Sequence, residues 1–562
     1  MERQNRSFYI IAFLFALVAC DKNKVPAPET IAAINLKTGD IVVCGPAEKQ
    51  FGTVAFETSC SDRVKKDFEL ALALLHSFEY DEAEKVFAEI IKDEPDCAMA
   101  YWGVAMSNFH PLWNPPTPGE LEKGVKATAV AKSLSKTSER ESQYIDAMAD
   151  FYNEAKVTSH ADRCANFEKA MEDIHKQYPE DKEAAIFYAL ALNGAADPRD
   201  KSFTKQKKAG SILENLYPNE RNHPGIVHYV IHSFDSPELA TLALAAAREY
   251  ASIAPSSAHA QHMPSHIFTR LGLWEECINS NLVAASSAKC YAENSGIKGH
   301  WDEELHALDY LEYGYLQKGD NTLAKEQRDY LKTIKEVSPV NFKVAYAFAA
   351  MPSRYVLENK LWREAAALEL YGENLDWEKF PWQKAIHHFA RVLGSVHIGD
   401  IDAAKAELKT LTLLHDALAA RKNAYEANQV QIQMKASEAW IRLKEGKNSE
   451  ALALMTEAVE MEEATQKHPV TPGEVLPARE LLGDMFMEMN DPRKALEAYE
   501  EDLKTHPNRF NGLYGAGLAA EKLGNDEKAN TYYNQLLKVA SSNSDRPELA
   551  AAKKYLKKKS TT

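Results

Sequence analysis

The chain has no Cys-x-x-Cys pair among its seven cysteines, no His-Glu-x-x-His run and no excess of basic charge. The first absence argues against a dithiol redox centre or a thiolate zinc site. The second removes a familiar zinc-protease signature. The third bears on nucleic acid: 66 Lys and Arg stand against 82 Asp and Glu, a formal net charge of −16, whereas a phosphate-tracking groove needs clustered cations. Glycine and proline are sparse at 24 each in 562 residues, so loops should be few and short. Aromatic residues are only 9%, few for a sugar-stacking surface. Beyond residue 19 no stretch is apolar enough for a second membrane span.

What is present is an ordinary folded composition, 45% hydrophobic and 26% charged, with one bias. Of 18 histidines, eight lie between His223 and His306, about three times the share that even scatter would place there.

The N-terminus carries Arg3 and Arg6, then the apolar run 8–16, then Leu17-Val18-Ala19-Cys20. A basic start, a short apolar core and small residues before a cut site describe an export signal. It resembles a bacterial lipoprotein signal, which implies cleavage after residue 19, lipidation of Cys20 and a place in the bacterial cell envelope, with a membrane as partner through the lipid. Multiple acyl chains make such an anchor stable. Residues 20–60 read as a tether and irregular lead-in. An exported chain can form disulfides. Cys44 with Cys60, or Cys60 with Cys97, are the local pairings; Cys164, Cys277 and Cys290 read equally well as buried thiols.

A helix-turn-helix pattern recurs through the rest, with a period of 34 residues between some of its copies. In Leu74-Leu75-His76-Ser77-Phe78-Glu79-Tyr80-Asp81-Glu82-Ala83, a helix ends, turns, and a second helix opens, with Phe87 and Pro95 further on. The pattern resembles the tetratricopeptide repeat (TPR). It returns at Gly272 with Cys277 in the Ala slot, Gly319 with Ala324, Leu361 with Ala365, Gly399 with Ala404, Gly446 with Ala451, Asn490 with Ala495, and Gly524 with Ala529. The expected fold is all-α: a TPR-like helical-hairpin solenoid, a right-handed superhelix, with a loop-rich insertion after the second repeat. Stacked helix pairs bury faces that none can bury alone. The expected segments are a TPR pair at 61–111, degenerate helices with insertions at 112–220, His-rich repeats at 221–340, further repeats at 341–430 and 431–545, and a basic tail at 546–562. Within 112–220 helices are expected at 139–152, 161–177 and 182–192. The resemblance also implies that first helices line a concave, ligand-binding groove.

The histidines fall on this period. His262 follows His228 by 34 residues, and His266 follows His232 by 34. Residues four apart share a helix face, with Cβ atoms about 5–6 Å apart. The pair therefore repeats at equivalent places, with Asp235 and His259 on the same faces. Imidazole and carboxylate are metal ligands, so His228, His232, His262, His266, Asp235 and His259 form a candidate site for a transition metal, with zinc, copper and iron not distinguished. His76, His110, His306, Asp309, Tyr313 and Arg354 are candidate groove-lining residues, Arg354 as an anion partner in Met351-Pro352-Ser353-Arg354, the echo of Met263-Pro264-Ser265-His266. His223 reads as a helix start, and His468 as part of a turn between repeats. His160, His175, His397, His415 and His506 read as surface or hydrogen-bonded core residues. With Leu75-His76-Ser77-Phe78 and His110-Pro111-Leu112-Trp113, the arrangement resembles a His-rich bacterial group of TPR proteins, which implies a fold and no activity.

Three function classes follow. The first is a lipid-anchored TPR protein with a metal-binding groove, extending to a metal-dependent hydrolase or oxidase. The second is a scaffold that takes a protein or peptide in the groove, the histidines being incidental. The third is a glycan-binding surface lipoprotein, which the low aromatic content disfavours. No nucleic-acid partner is expected.

Overall fold

The computed structural model describes residues 25–45, 50–112 and 115–560; the leader and Cys20 lie outside the described residues. Among the described residues the strands are limited to a two-residue parallel ladder, His300–Trp301 with Val337–Ser338. The rest of the regular structure is helix, and from Lys65 onward each α-helix packs on its neighbours in sequence. No described helix is long and apolar enough to cross a membrane.

The repeat's chemistry is visible in its turns. Gly272, Gly319, Gly399, Gly446 and Gly524 all have positive φ. The residue after each donates its N–H to the carbonyl five positions back, as in Leu273 to Phe268 at 2.8 Å and Asp320 to Tyr315 at 2.9 Å. This closes the helix end with a left-handed residue. The Ala-slot side chains Ala83, Cys277, Ala324, Ala365, Ala404, Ala451, Ala495 and Ala529 are all 0% exposed. They are the points of closest helix approach, where added methylenes overpack the seam.

Between residues 112 and 220 the chain is more regular than expected. Helices Glu139–Asn153, His160–Gln177 and Lys182–Gly194 stand where they were anticipated, and Pro118–Ser133 and Thr204–Leu216 complete the pairs. Thr117 and Ser138 each close a capping box with the glutamate three residues on. Residues 195–203 form an irregular link between Lys182–Gly194 and Thr204–Leu216.

The stack winds back on itself. Helix Pro224–Phe234 packs on Lys65–His76, and Asp302–Gln317 packs on Phe510–Lys522. The Gly272 turn meets the C-terminal repeats directly: Trp274 Nε1 donates to the Asn508 carbonyl at 2.8 Å, and Asn508 Nδ2 to the Gly272 carbonyl at 3.1 Å. Residues 465–477 cross the inner face. Lys467 pairs with Asp235 at 2.8 Å, Tyr310 donates to the Val470 carbonyl at 3.1 Å, and Tyr346 donates to the Gly473 carbonyl at 3.2 Å. The concave groove expected from the sequence is crossed by the chain's own segment, which meets Asp235, Tyr310 and Tyr346.

Residues 50–60 tie distant repeats together through Gln50 with Ser256, Thr53 with the Asn222 carbonyl, and Ser59 with Glu141. Cys60 pairs with Cys97, one of the two local expectations, but Cys44 pairs with Cys290, 246 residues away. The reading of Cys290 as a thiol is thus overturned: the winding brings the lead-in against helix Trp274–Asn294. Cys164 and Cys277 are buried and free.

Candidate metal centre

His228 and His232 project from helix Pro224–Phe234, started by Pro224 with His223 before it. His259 and His262 lie on Ala258–His262, whose N-cap Ser257 accepts from the Ala260 N–H at 3.0 Å. His266 follows on Pro264–Arg270, and His306 comes from the next first helix, Asp302–Gln317. Four imidazoles converging across one gap were expected; the structure instead arranges six as two adjacent trios. His228, His232 and His259 form one, and His262, His266 and His306 the other, with the ligand atoms of each within 4.8 Å of one another. The His232 and His266 ring centroids are 6.3 Å apart, so the trios adjoin.

In the first trio, His228 Nε2 lies 3.0 Å from His232 Nε2 and 3.1 Å from His259 Nε2. His228 Nδ1 faces the His76 carbonyl at 2.6 Å. A carbonyl only accepts, so Nδ1 carries the proton and Nε2 presents a lone pair. In the second trio, His262 Nε2 and His266 Nε2 are 3.1 Å apart. His262 Nδ1 donates to Asn281 Oδ1 at 2.7 Å, and Asn281 is oriented by its own donation to the Cys277 carbonyl. His266 Nδ1 donates to Asp235 Oδ2 at 2.9 Å. Two bare lone pairs at this distance repel unless a Lewis acid lies between them. A tetrahedral ion with bonds of about 2.0–2.1 Å would put its ligand nitrogens about 3.3 Å apart.

Burial holds His228, His232, His259, His262 and His306 well below the usual imidazole range. It also lowers His266, against the pull of Asp235. All six are thus neutral at pH 7, the form that binds metals. Asp235 stays ionised: burial opposes this, but Lys467, His266 and Arg270 outweigh it. Asp235 is an outer partner that orients His266 and carries negative charge beside a cation site.

Phe78 was not singled out by sequence reasoning. It holds φ 57° in the turn position that is glycine in five other repeats and Lys360, Lys422 or Asn490 in three more. Its ring centroid is 4.4 Å from that of His228, 5.5 Å from His259 and 5.7 Å from His232. A left-handed non-glycine residue costs about 1–2 kcal/mol. The visible signal was an aromatic residue in a glycine slot.

The remaining expected residues sit elsewhere. His76 joins His223 on one buried carboxylate, with Glu183 2.8 Å from His76 Nε2 and 2.7 Å from His223 Nε2. Tyr229 Oη meets His76 Nδ1 at 3.0 Å. His110 pairs with Glu120 at 2.9 Å and lies outside both trios. Arg354 is not an anion site: it is fully buried against Asp309 at 2.7 Å and Glu312 at 3.2 Å, its charge already opposed. Tyr313 accepts from Arg509 at 2.9 Å in the adjoining ion network. His468 stacks on Phe342, with centroids 4.4 Å apart, in the crossing segment.

Comparison with protein families matches the tetratricopeptide repeat at residues 481–545. No curated protein matches the chain. Among solved structures, the human IFIT1 dimer with m7Gppp-AAAA is 12% identical, covering 84% of this chain and 95% of that one, at a TM-score of 0.36. The APC/C hetero-tetramer Cut9-Hcn1 is 11% identical, covering 87% of this chain and 90% of that one, at a TM-score of 0.30. At such scores these overlays carry no argument about ligands.

Proposed function

We propose that the chain is a metal-binding TPR protein of the bacterial cell envelope, held at a membrane by lipid on Cys20, with one transition-metal ion in each histidine trio. The observation that carries this reading is the pairing of donors and lone pairs: Nδ1 of His228, His262 and His266 is spent on an acceptor, and each Nε2 points at its neighbours. Three neutral nitrogen donors per ion, held from outside by the His76 carbonyl in the first trio and by Asn281 and Asp235 in the second, suit zinc, copper or iron. A three-ligand ion retains a position for water or substrate, which makes hydrolysis or oxygen chemistry available to it. A peptide-binding scaffold without metal is the weaker reading, because residues 465–477 occupy the face a peptide would use.

The test is metal analysis of the full-length chain purified without chelators. About two equivalents are expected, falling to about one in H228A/H232A. A content below about a tenth of an equivalent under those conditions contradicts the reading. Cys20→Ser should release the protein from the membrane fraction; a variant that stays there contradicts the anchor.

A further inference from the structure

The two trios are unlike in one respect. In the second, all three histidines are buried, and Tyr310 Oη stands 3.4 Å from His266 Nε2. In the first, His232 is only part-buried and lies at the wall of a cavity of about 360 Å³. That size falls in the range of about 300–1,000 Å³ typical of small-molecule sites. The cavity lies between the 193–206 region, the end of helix Pro224–Phe234 and the crossing segment.

Its walls have a consistent chemistry. Leu112, Phe203, Tyr425 and Pro469 supply an apolar surround. Asn193 and Gln206 line it too, and Asn193 Oδ1 and Gln206 Oε1 are buried acceptors with no hydrogen-bond partner among the described residues. A buried acceptor left unpaired costs about 1–3 kcal/mol, so both favour a ligand that brings N–H or O–H donors. The charged groups on the wall largely cancel: Lys467 is tied to Asp235, leaving Glu426. Apart from the bound ion, no spare cation among the described residues lines the wall.

We propose that this cavity is the ligand site of the first trio, and that it takes a small aryl compound which coordinates the metal through oxygen and donates N–H or O–H to Asn193 and Gln206. The second trio is closed and plays no part in binding the ligand. The proposal rests on the metal reading above, because His232 acts here as the wall ligand of a bound ion. The chemistry fits hydroxamates and N-aryl amides better than sugars, since the cavity offers apolar residues and uncharged acceptors together.

The test uses the full-length chain loaded with cobalt(II), whose visible bands report its coordination. Benzohydroxamate and azide are titrated separately. Both should change the spectrum of one of the two ions, and neither should do so in H232A, which keeps the second ion. Ala196→Trp fills the cavity from a residue that ligates nothing. It should weaken benzohydroxamate about tenfold or more while leaving azide binding and cobalt content as they were. Gln206→Leu should weaken benzohydroxamate about fivefold, the worth of one hydrogen bond to a buried acceptor; it tests the site independently if A196W does not fold. Failure to bind cobalt overturns the metal reading and this proposal together. Full cobalt content with no response to benzohydroxamate, or equal weakening of both probes in A196W, overturns the cavity proposal alone.

Discussion

Asp235, three residues beyond His232 and just past the end of the first trio's helix, accepts the Nδ1 proton of His266 in the second at 2.9 Å. The first trio's segment therefore reaches the second trio through this carboxylate, and Lys467 of the crossing segment closes on the same oxygen. The arrangement follows from the 34-residue period: an acid at the end of one repeat's first helix meets the last histidine of the next.

Asp235→Asn keeps an acceptor and removes the charge. Outer partners of this kind are worth about 10- to 100-fold in metal affinity, and the second trio should lose that much. Competition against a chelating dye reads it. Affinity unchanged at both ions would remove Asp235 from the centre.

Phe78 combines backbone strain with contact to three histidines. In Phe78→Gly, relief of about 1–2 kcal/mol of strain partly offsets the lost ring packing. Metal affinity at the first trio should fall more than folding stability does. Denaturant unfolding of the metal-free chain, set beside metal titration, separates the two. A loss confined to stability would make Phe78 a packing residue only.

His387, buried in helix Pro381–Ile398, is pushed down to about 3 by burial and by His388 beside it. Unfolded histidine titrates near 6.5. Between those values the unfolded chain binds a proton that the folded chain does not, so stability drops as pH falls from about 6.5 toward 3, by up to about 1.4 kcal/mol per unit. In His387→Gln that slope should be shallower by up to one proton's worth. Identical slopes in the two proteins would contradict the assignment.

Closure of the stack is testable at Gly272, where a Cβ would stand 2.2 Å from the Pro507 carbonyl oxygen. Gly446 has the same left-handed backbone and nothing within 4 Å. Gly446→Ala should cost about 1 kcal/mol from backbone alone, and Gly272→Ala at least about 2 kcal/mol. Equal losses would mean that the Gly272 turn does not press on the C-terminal repeats.

The sequence made the repeat and its histidines legible because period and chemistry coincide. The His228/His232 and His262/His266 pairs recur at 34 residues, and the turn glycines and buried alanines recur in kind at varying intervals, the alanines filling the seam between helices. His306 was legible only as a groove candidate, since its contribution to the second trio depends on how the next first helix packs. Glu183 was invisible as the partner of His76, 107 residues away. It lies where the repeat pattern is faintest, and no local spacing links the two. The Cys44–Cys290 bridge and the crossing segment were hidden for the same reason: both depend on how far the solenoid winds.

X-ray absorption at the metal edge of the loaded full-length protein tests the centre most directly. Three imidazole nitrogens per ion at about 2.0–2.1 Å for zinc, with no sulfur scatterer, are predicted. The H228A/H232A protein should keep that signature for its single remaining ion. A spectrum dominated by oxygen or sulfur ligands, or by fewer than two imidazoles per ion, would contradict the account.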